Sequence, residues 1–371
     1  HLRTSGVELY LADSAAEFHF ASSPPRSGEE PGEGRTDSNG NRPQLLVKLK
    51  SGRELAADFV VLSVGVRPEN ALAVAAGLDV GPRGGIRVNQ HMQTSDPDIY
   101  AVGDAVETRD FITGEPTQIP LAGPANRQGR IAADHIFGRP SAYRGTQGTA
   151  VVGVFGMTAA MTGLSEKVLQ RIGRKHEKVY LHPNHHAGYY TGAERMSLKL
   201  LFDPVDGQIL GAQAVGRDGV DKRIDVLAMA IQAGLSVFDL EEAELAYAPQ
   251  YGAAKDPINM AGFIAAGVVR GDVRVTHVRD LESLAAAGAI VLDVRSPEEF
   301  TSGHITGARH IPIESLRDRL DEVDRDRPVV AYCQVGQRGY LATRVLTQAG
   351  YNATNLSGGY TTYCQIRGGN P

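Results

Sequence analysis

Cysteine is nearly absent: Cys333 and Cys364 are the only two in 371 residues. That scarcity excludes a disulfide framework and a cysteine-rich metal site, and it fits a reducing interior, so the expected compartment is the cytoplasm. An excess of one charge is also missing. The 38 Lys+Arg stand against 43 Asp+Glu, a net charge of -5, and no basic block offers a surface to nucleic acid or to an anionic membrane. Long hydrophobic runs are lacking as well. The longest, such as MAGFIAAGVV and AGAIVLDV, are about half of the roughly 20 residues that span a bilayer. The opening stretch HLRTSGVELYLADSAAEF has neither a starting methionine nor a signal-peptide pattern, and it reads as starting mid-domain, helix then strand.

A chain of this length exceeds what one core usually serves, so two or three domains are expected. SSPPRSGEEPGEGRTDSNGNRP contains almost no apolar residue and predicts a mobile loop over about 21–43. Order resumes with LLVKLK, the turn SGREL and DFVVLSVG, a β-branched run that predicts a buried strand closed by Gly65. A first domain over 1–148 follows from this layered α/β pattern. From 149 to 272 the pattern changes to α+β. TAVVGVFGMTAAMTG and MSLKLLFDPVDGQILGAQAVG read as strands with a turn at DPVDG, and Asp221 to Ala233 has a helical period. From 273 to 371 short strands and helices alternate as in a small doubly wound α/β domain.

Cys333 stands in AYCQVGQRGYLATRVL, where a tight loop runs into a helix expected to begin near Gly339. Loop amides of Gln334, Val335, Gly336, Gln337 and Gly339, the positive end of that helix and the charge of Arg338 all favour a sulfur anion. Cys364, in TYCQIRG, has no such surroundings and reads as an incidental surface thiol.

Three sets of motifs resemble known families. TSDPDIYAVGD and VVLSVGVRPEN resemble the second flavin-binding motif and the preceding strand-to-loop signal of the FAD-dependent pyridine nucleotide-disulfide reductases. IYAVG would be a short strand ending at Gly103, and the resemblance implies that Asp104 holds the ribityl chain of FAD. It also implies that a helix opening near Ala122 and Ala125, with Pro124 at its start and Gly138 past its end, points its N-terminus at the flavin ring. AMTGLSE, HHAGYYTGA, GAQAVGRDGVDKRIDVLA and YAPQYGAAKDPINMAG are similar to the dimerisation domain of the coenzyme A disulfide reductase and NADH oxidase branch. That likeness implies a homodimer in which Tyr189 and Tyr247 reach the partner's flavin site and contact coenzyme A sulfur; Tyr190 and Tyr251 are neighbours easily confused with them.

LDVRSPEEF, GHITGARHIP, CQVGQR and LSGGY resemble a rhodanese, which implies a persulfide on Cys333. The cysteine phosphatases use similar logic with one more residue between Cys and Arg; the spacing here is Cys-x4-Arg. Asp293, Glu299 and His304 read as framework. No G-x-G-x-x-G turn and no flavin-side redox cysteine occurs in the chain. The resemblance therefore implies a chain lacking the N-terminal flavin half, whose fuller form uses FAD and NADH or NADPH to reduce a cysteine–coenzyme A mixed disulfide. Two alternatives stay open: a sulfur carrier on a non-catalytic dimerising remnant, and an NADH oxidase or peroxidase type of reductase.

Overall fold

The computed structural model describes residues 1–20 and 45–368; the expected loop over about 21–43 lies outside them. The chain divides into two compact units, His1–Arg67 and Pro68–Pro371. No described helix is long and apolar enough to cross a membrane.

In the first unit, strands β1 (Ala15–Phe20), β2 (Leu45–Leu49) and β3 (Glu54–Ala57) form an antiparallel sheet in the order β1-β2-β3. Val47 and Leu49 of β2 are buried, as alternation requires. The helix expected at the start is only a three-residue 3-10 turn, Arg3–Ser5. The buried strand expected at DFVVLSVG is not formed, and Phe59, Val61, Leu62 and Val64 are exposed. A parallel-sheet strand depends on ladders to its neighbours, and the described residues supply none to 58–65.

The second unit opens with α1 (Ala71–Ala75) and a small sheet of β4 (Ile86–Arg87), β5 (Val106–Arg109) and β6 (Pro116–Thr117), followed by the 15-residue helix α2 (Ala122–Ile136). IYAVG does not form the expected strand. A single bridge between Gln93 and Tyr100 and the Ala101 amide on the Met92 carbonyl hold it, too few contacts for a ladder.

The α+β part is a five-stranded antiparallel sheet, ordered β7-β8-β11-β10-β9, of β7 (Ala150–Val154), β8 (Met157–Gly163), β9 (Glu177–Leu181), β10 (Ser197–Phe202) and β11 (Ile209–Gly216). Its helices are α3 (Glu166–Arg171), α4 (Val220–Gln232), α5 (Val237–Glu242) and α6 (Pro257–Val269). Val220, Ile224, Leu227 and Ile231 recur at helical spacing along α4 and enter one core with Leu198, Leu200 and Phe202 of β10.

The C-terminal part is a five-stranded parallel sheet, ordered β12-β16-β15-β13-β14. Its elements are β12 (Val275–Thr276), α7 (Val278–Ala286), β13 (Ile290–Asp293), α8 (Pro297–Ser302), β14 (Arg309–His310), β15 (Val329–Tyr332), α9 (Gln337–Gln348), β16 (Ala353–Leu356) and α10 (Gly359–Arg367). Alternate residues of β15 enter different cores: Val329 and Ala331 join Leu346 of α9, whereas Val330 and Tyr332 join Leu281 of α7. A sheet buried on both faces needs such continuous apolar strands.

These last two parts are bonded to each other. His182, just after β9, contacts Ser197 Oγ through Nδ1 (2.9 Å) and Thr362 Oγ1 of α10 through Nε2 (2.7 Å). The Tyr180 amide donates to Ser357 Oγ, Gln365 donates to Ser197, and His277 pairs with Glu177.

Candidate active sites

Cys333 follows the last residue of β15 and is 1% exposed. The Gly336 amide donates to its Sγ at 3.2 Å. Gly336 adopts φ +104, a left-handed conformation that glycine takes without strain, and caps α9. The helix therefore begins at Gln337, two residues earlier than expected, which places its positive end directly against the cysteine loop. The loop is braced from beneath by α10: the amides of Tyr360 and Thr361 donate to the carbonyls of Cys333 (2.8 Å) and Gln334 (2.9 Å). Asn355 Nδ2 donates to the Gly336 carbonyl. Gly339 is buried at the base of the loop, Gln337 is exposed, and Gln334 and Val335 are half-buried.

Two arginines reach this loop. Arg295, 2% exposed, is held by both carboxylate oxygens of Asp293 and donates to Gln334 Oε1 (3.0 Å) and to the Gly303 carbonyl (2.6 Å). Its guanidinium lies over the Tyr360 ring, 4.3 Å from the centroid. Arg338 makes a two-pronged contact with Glu299, each N–O distance 2.6 Å. These bonds from Arg338 hold the Glu299 carboxyl at about 2, well below its usual range, against the opposing effect of burial. Glu299 also closes the capping box of α8 by accepting the Ser296 amide. His304 stacks on Phe300 and contacts its carbonyl.

Cys364 is not the surface thiol expected. It is 4% exposed, on the inward face of α10 with Thr361 and Thr362. The helical period turns it into the core, a placement that its composition-poor segment does not announce.

In the α+β part, the hydroxyls of Tyr189 and Tyr247 lie 2.9 Å apart. Both rings are exposed, and the bond to Tyr189 raises the pKa of Tyr247. Tyr190 packs edge-on against His186, and Tyr251 projects alone to 69% exposure. The two tyrosine loops are joined by the Ala187 amide on the Gly252 carbonyl. Arg223 of α4, 1% exposed, donates to the His185 carbonyl in one loop and to both oxygens of Asp256 beyond the other.

At the start of α2, Leu121 provides no side-chain cap, and Ala122 and Gly123 line a cleft of about 320 Å³ together with Pro124, Gln147 and Thr149. Ala125 spends its amide on the Leu121 carbonyl. The Gln147 Oε1 is buried with no partner among the described residues. The Gly103 amide donates to Gln128 of α2 (2.8 Å), which ties the 103–104 turn to that helix, and Asp104 is exposed.

The pyridine nucleotide-disulphide oxidoreductase family matches residues 29–129, its dimerisation domain residues 149–256, and the rhodanese-like domain residues 277–365. Over these segments the chain is similar to the pyridine nucleotide-disulphide oxidoreductases, followed by a rhodanese-like domain. Among curated relatives, it is 36% identical over 221 residues to a coenzyme A disulfide reductase of Staphylococcus haemolyticus (strain JCSC1435), covering 59% of this chain and 50% of that one. Among solved structures, it is similar to the reduced CoADR-RHD of Bacillus anthracis (48% identity, TM-score 0.85, 89% of this chain and 59% of that one). It is also similar to an NAD-dependent persulfide reductase from A. fulgidus (35% identity, TM-score 0.84, 98% and 62%). The chain spans about half the length of the curated relatives it matches.

FAD, which this family implies, finds a partial fit. A helix start without a side-chain cap and a buried Gln147 Oε1 without a donor among the described residues suit the polar edge of a flavin ring, and Asp104 can accept hydroxyls. Arg223 and Arg295 escaped the reading of the sequence, in which they stand as ordinary surface-type cations; the only signal was the short D-x-R at the end of β13.

Proposed function

We propose that the chain is the substrate-side and sulfur-transfer portion of an FAD- and NAD(P)H-dependent reductase acting on coenzyme A disulfide or persulfide. Cys333 carries persulfide sulfur toward the reducing site. The observation that carries this reading is the Gly336 amide directed at Cys333 Sγ from the start of a 12-residue helix. A thiolate or persulfide anion held there has its negative charge next to donors already in place. Arg338 adds a cation at the mouth, and Gln334, Val335, Gln337 and Gly339 complete the loop.

The segments 149–272 and 273–371 serve as the dimerising and sulfur-carrying domains. Two copies of the chain pair through the former, so that Tyr189 and Tyr247 of one subunit serve the flavin site of the other. A phenol pair of this kind can donate a proton to a departing coenzyme A thiolate. Gly103, Asp104, Ala122 and Ala125 form the ribityl and ring side of the flavin site. When bound, FAD supplies the two-electron chemistry linking nicotinamide to sulfur. The cytoplasm is the compartment that suits two free cysteines and such a substrate.

The test is sulfur loading. After treatment with a polysulfide and removal of the excess, mass spectrometry should place one added sulfur atom on Cys333 and none on Cys364, and Cys333→Ser should lose it. Loading at Cys364 instead would overturn the assignment.

A further inference from the structure

Each of the two guanidinium groups that reach the Cys333 loop is matched by its own carboxylate. Arg295 is paired with Asp293, and Arg338 with Glu299. The inner pair is buried and braces Gln334. The outer pair is about one-third exposed, whereas Cys333 is buried, so the pair stands on the solvent side of the loop. A loop that stabilises an anion is therefore fronted by a pair of zero net charge.

We propose that Glu299 is a specificity-determining residue: by occupying the fork of Arg338 it makes the Cys333 site select sulfur donors of low charge over dianionic inorganic ones. The proposal rests on the reading of Cys333 as the sulfur carrier. With an organic persulfide, the Cys333 thiolate attacks the outer sulfur of R–S–SH; a new S–S bond forms, the donor S–S bond breaks, and its electron pair leaves on R–S⁻. One negative charge is present throughout. With thiosulfate, Cys333–S⁻ takes the outer sulfur and sulfite leaves with the electron pair, giving Cys333–S–S⁻ and SO₃²⁻. Three negative charges then meet at one place, and the cation that would offset them is engaged by Glu299. Repulsion grows with the charge on the donor, so the carboxylate penalises thiosulfate most.

Glu299→Gln isolates the charge. Glutamine can still accept the Ser296 amide in the capping box and one bond from Arg338, so α8 keeps its start. Sulfur loading of Cys333 is followed by mass spectrometry with cysteine persulfide and with thiosulfate. The expected result is an increase of about tenfold in the thiosulfate rate, with the persulfide rate changed less than about threefold. The thiosulfate gain should shrink as salt is raised, because screening weakens an exposed charge and leaves a packing effect untouched. A second comparison guards against a folding defect. Arg338→Ala leaves Glu299 unopposed, so it should load from thiosulfate more slowly than the double variant Arg338→Ala/Glu299→Gln. Equal loss with both donors in Glu299→Gln, or a double variant no faster than the single one, would overturn the proposal while leaving Cys333 as the carrier. Failure of the unmodified chain to load from either donor would overturn both.

Discussion

The hydroxyl oxygens of Tyr189 and Tyr247 stand 2.9 Å apart, although 58 residues of chain separate the two side chains. Two exposed phenols so held have little to do with stability. Tyr247→Phe should change the free energy of unfolding by less than about 0.5 kcal/mol and leave the assembly state unaltered. In a fuller, flavin-loaded protein of the kind proposed, the same change should lower disulfide turnover by about tenfold or more, the usual scale for a lost proton donor. Thermal melts beside steady-state kinetics check both halves; a large drop in melting temperature would point to packing instead.

Arg223 should behave in the opposite way. Its guanidinium is buried, and it is the ion-pair partner of Asp256, which is itself 3% exposed. Arg223→Met strands that carboxylate, an expected loss of about 3–5 kcal/mol measured by denaturant unfolding. Because the same side chain holds the His185 carbonyl, the tyrosine loops should also become susceptible to proteolysis around 185–190. Restoration by Arg223→Met combined with Asp256→Asn would identify the unpaired charge as the cause.

The contact between β9 and α10 predicts a dependence on pH. Burial lowers the pKa of His182 to about 4, and the charge of Arg195 adds to the effect. In the unfolded chain the imidazole titrates near 6.5. The unfolded state thus binds the extra proton first. Stability contributed by neutral His182 is intact above about pH 6.5 and declines as pH falls from 6.5 to about 4, by at most about 3 kcal/mol. Denaturant midpoints taken across that window should show the decline, and His182→Gln should flatten it. An unchanged slope in the variant would assign the effect to other groups.

Gly359 allows α10 to meet the cysteine loop. A Cβ there would lie 2.3 Å from the Cys333 carbonyl oxygen, and its φ of +60 already disfavours a side chain. Gly359→Ala should destabilise the chain by on the order of 1–3 kcal/mol from the backbone conformation and crowding, and should slow sulfur loading by more than an equally destabilising change on the far end of α9. Loading at the original rate would show that the loop does not depend on that contact.

The parts of the molecule that were legible in the sequence are those whose patterns are local or closed. The hairpin of β7 and β8, the strands β10 and β11 around DPVDG, and α4 all carry their period in consecutive residues. The loop from Cys333 to Arg338 was legible as a tight glycine-containing turn running into a helix, although that helix begins at Gln337 rather than near Gly339. DFVVLSVG and IYAVG misled because a strand is a property of its neighbours as much as of its own residues. Burial of Cys364 and the anchoring roles of Arg223 and His182 depend on which element lies across from them, 33 residues away in the chain for Arg223 and Asp256 and 180 for His182 and Thr362. No local pattern contains that information.

Thr362, held by His182, follows directly on Tyr360 and Thr361, whose amides carry the Cys333 and Gln334 carbonyls. Any hinge opened between these two parts would therefore tug on the Cys333 loop within a single helical turn. If Cys333 carries sulfur as proposed, swinging is a costly means of delivery, and transfer falls to a small molecule whose own reach or diffusion covers the distance, so the length of the acceptor's arm becomes a property on which transfer depends.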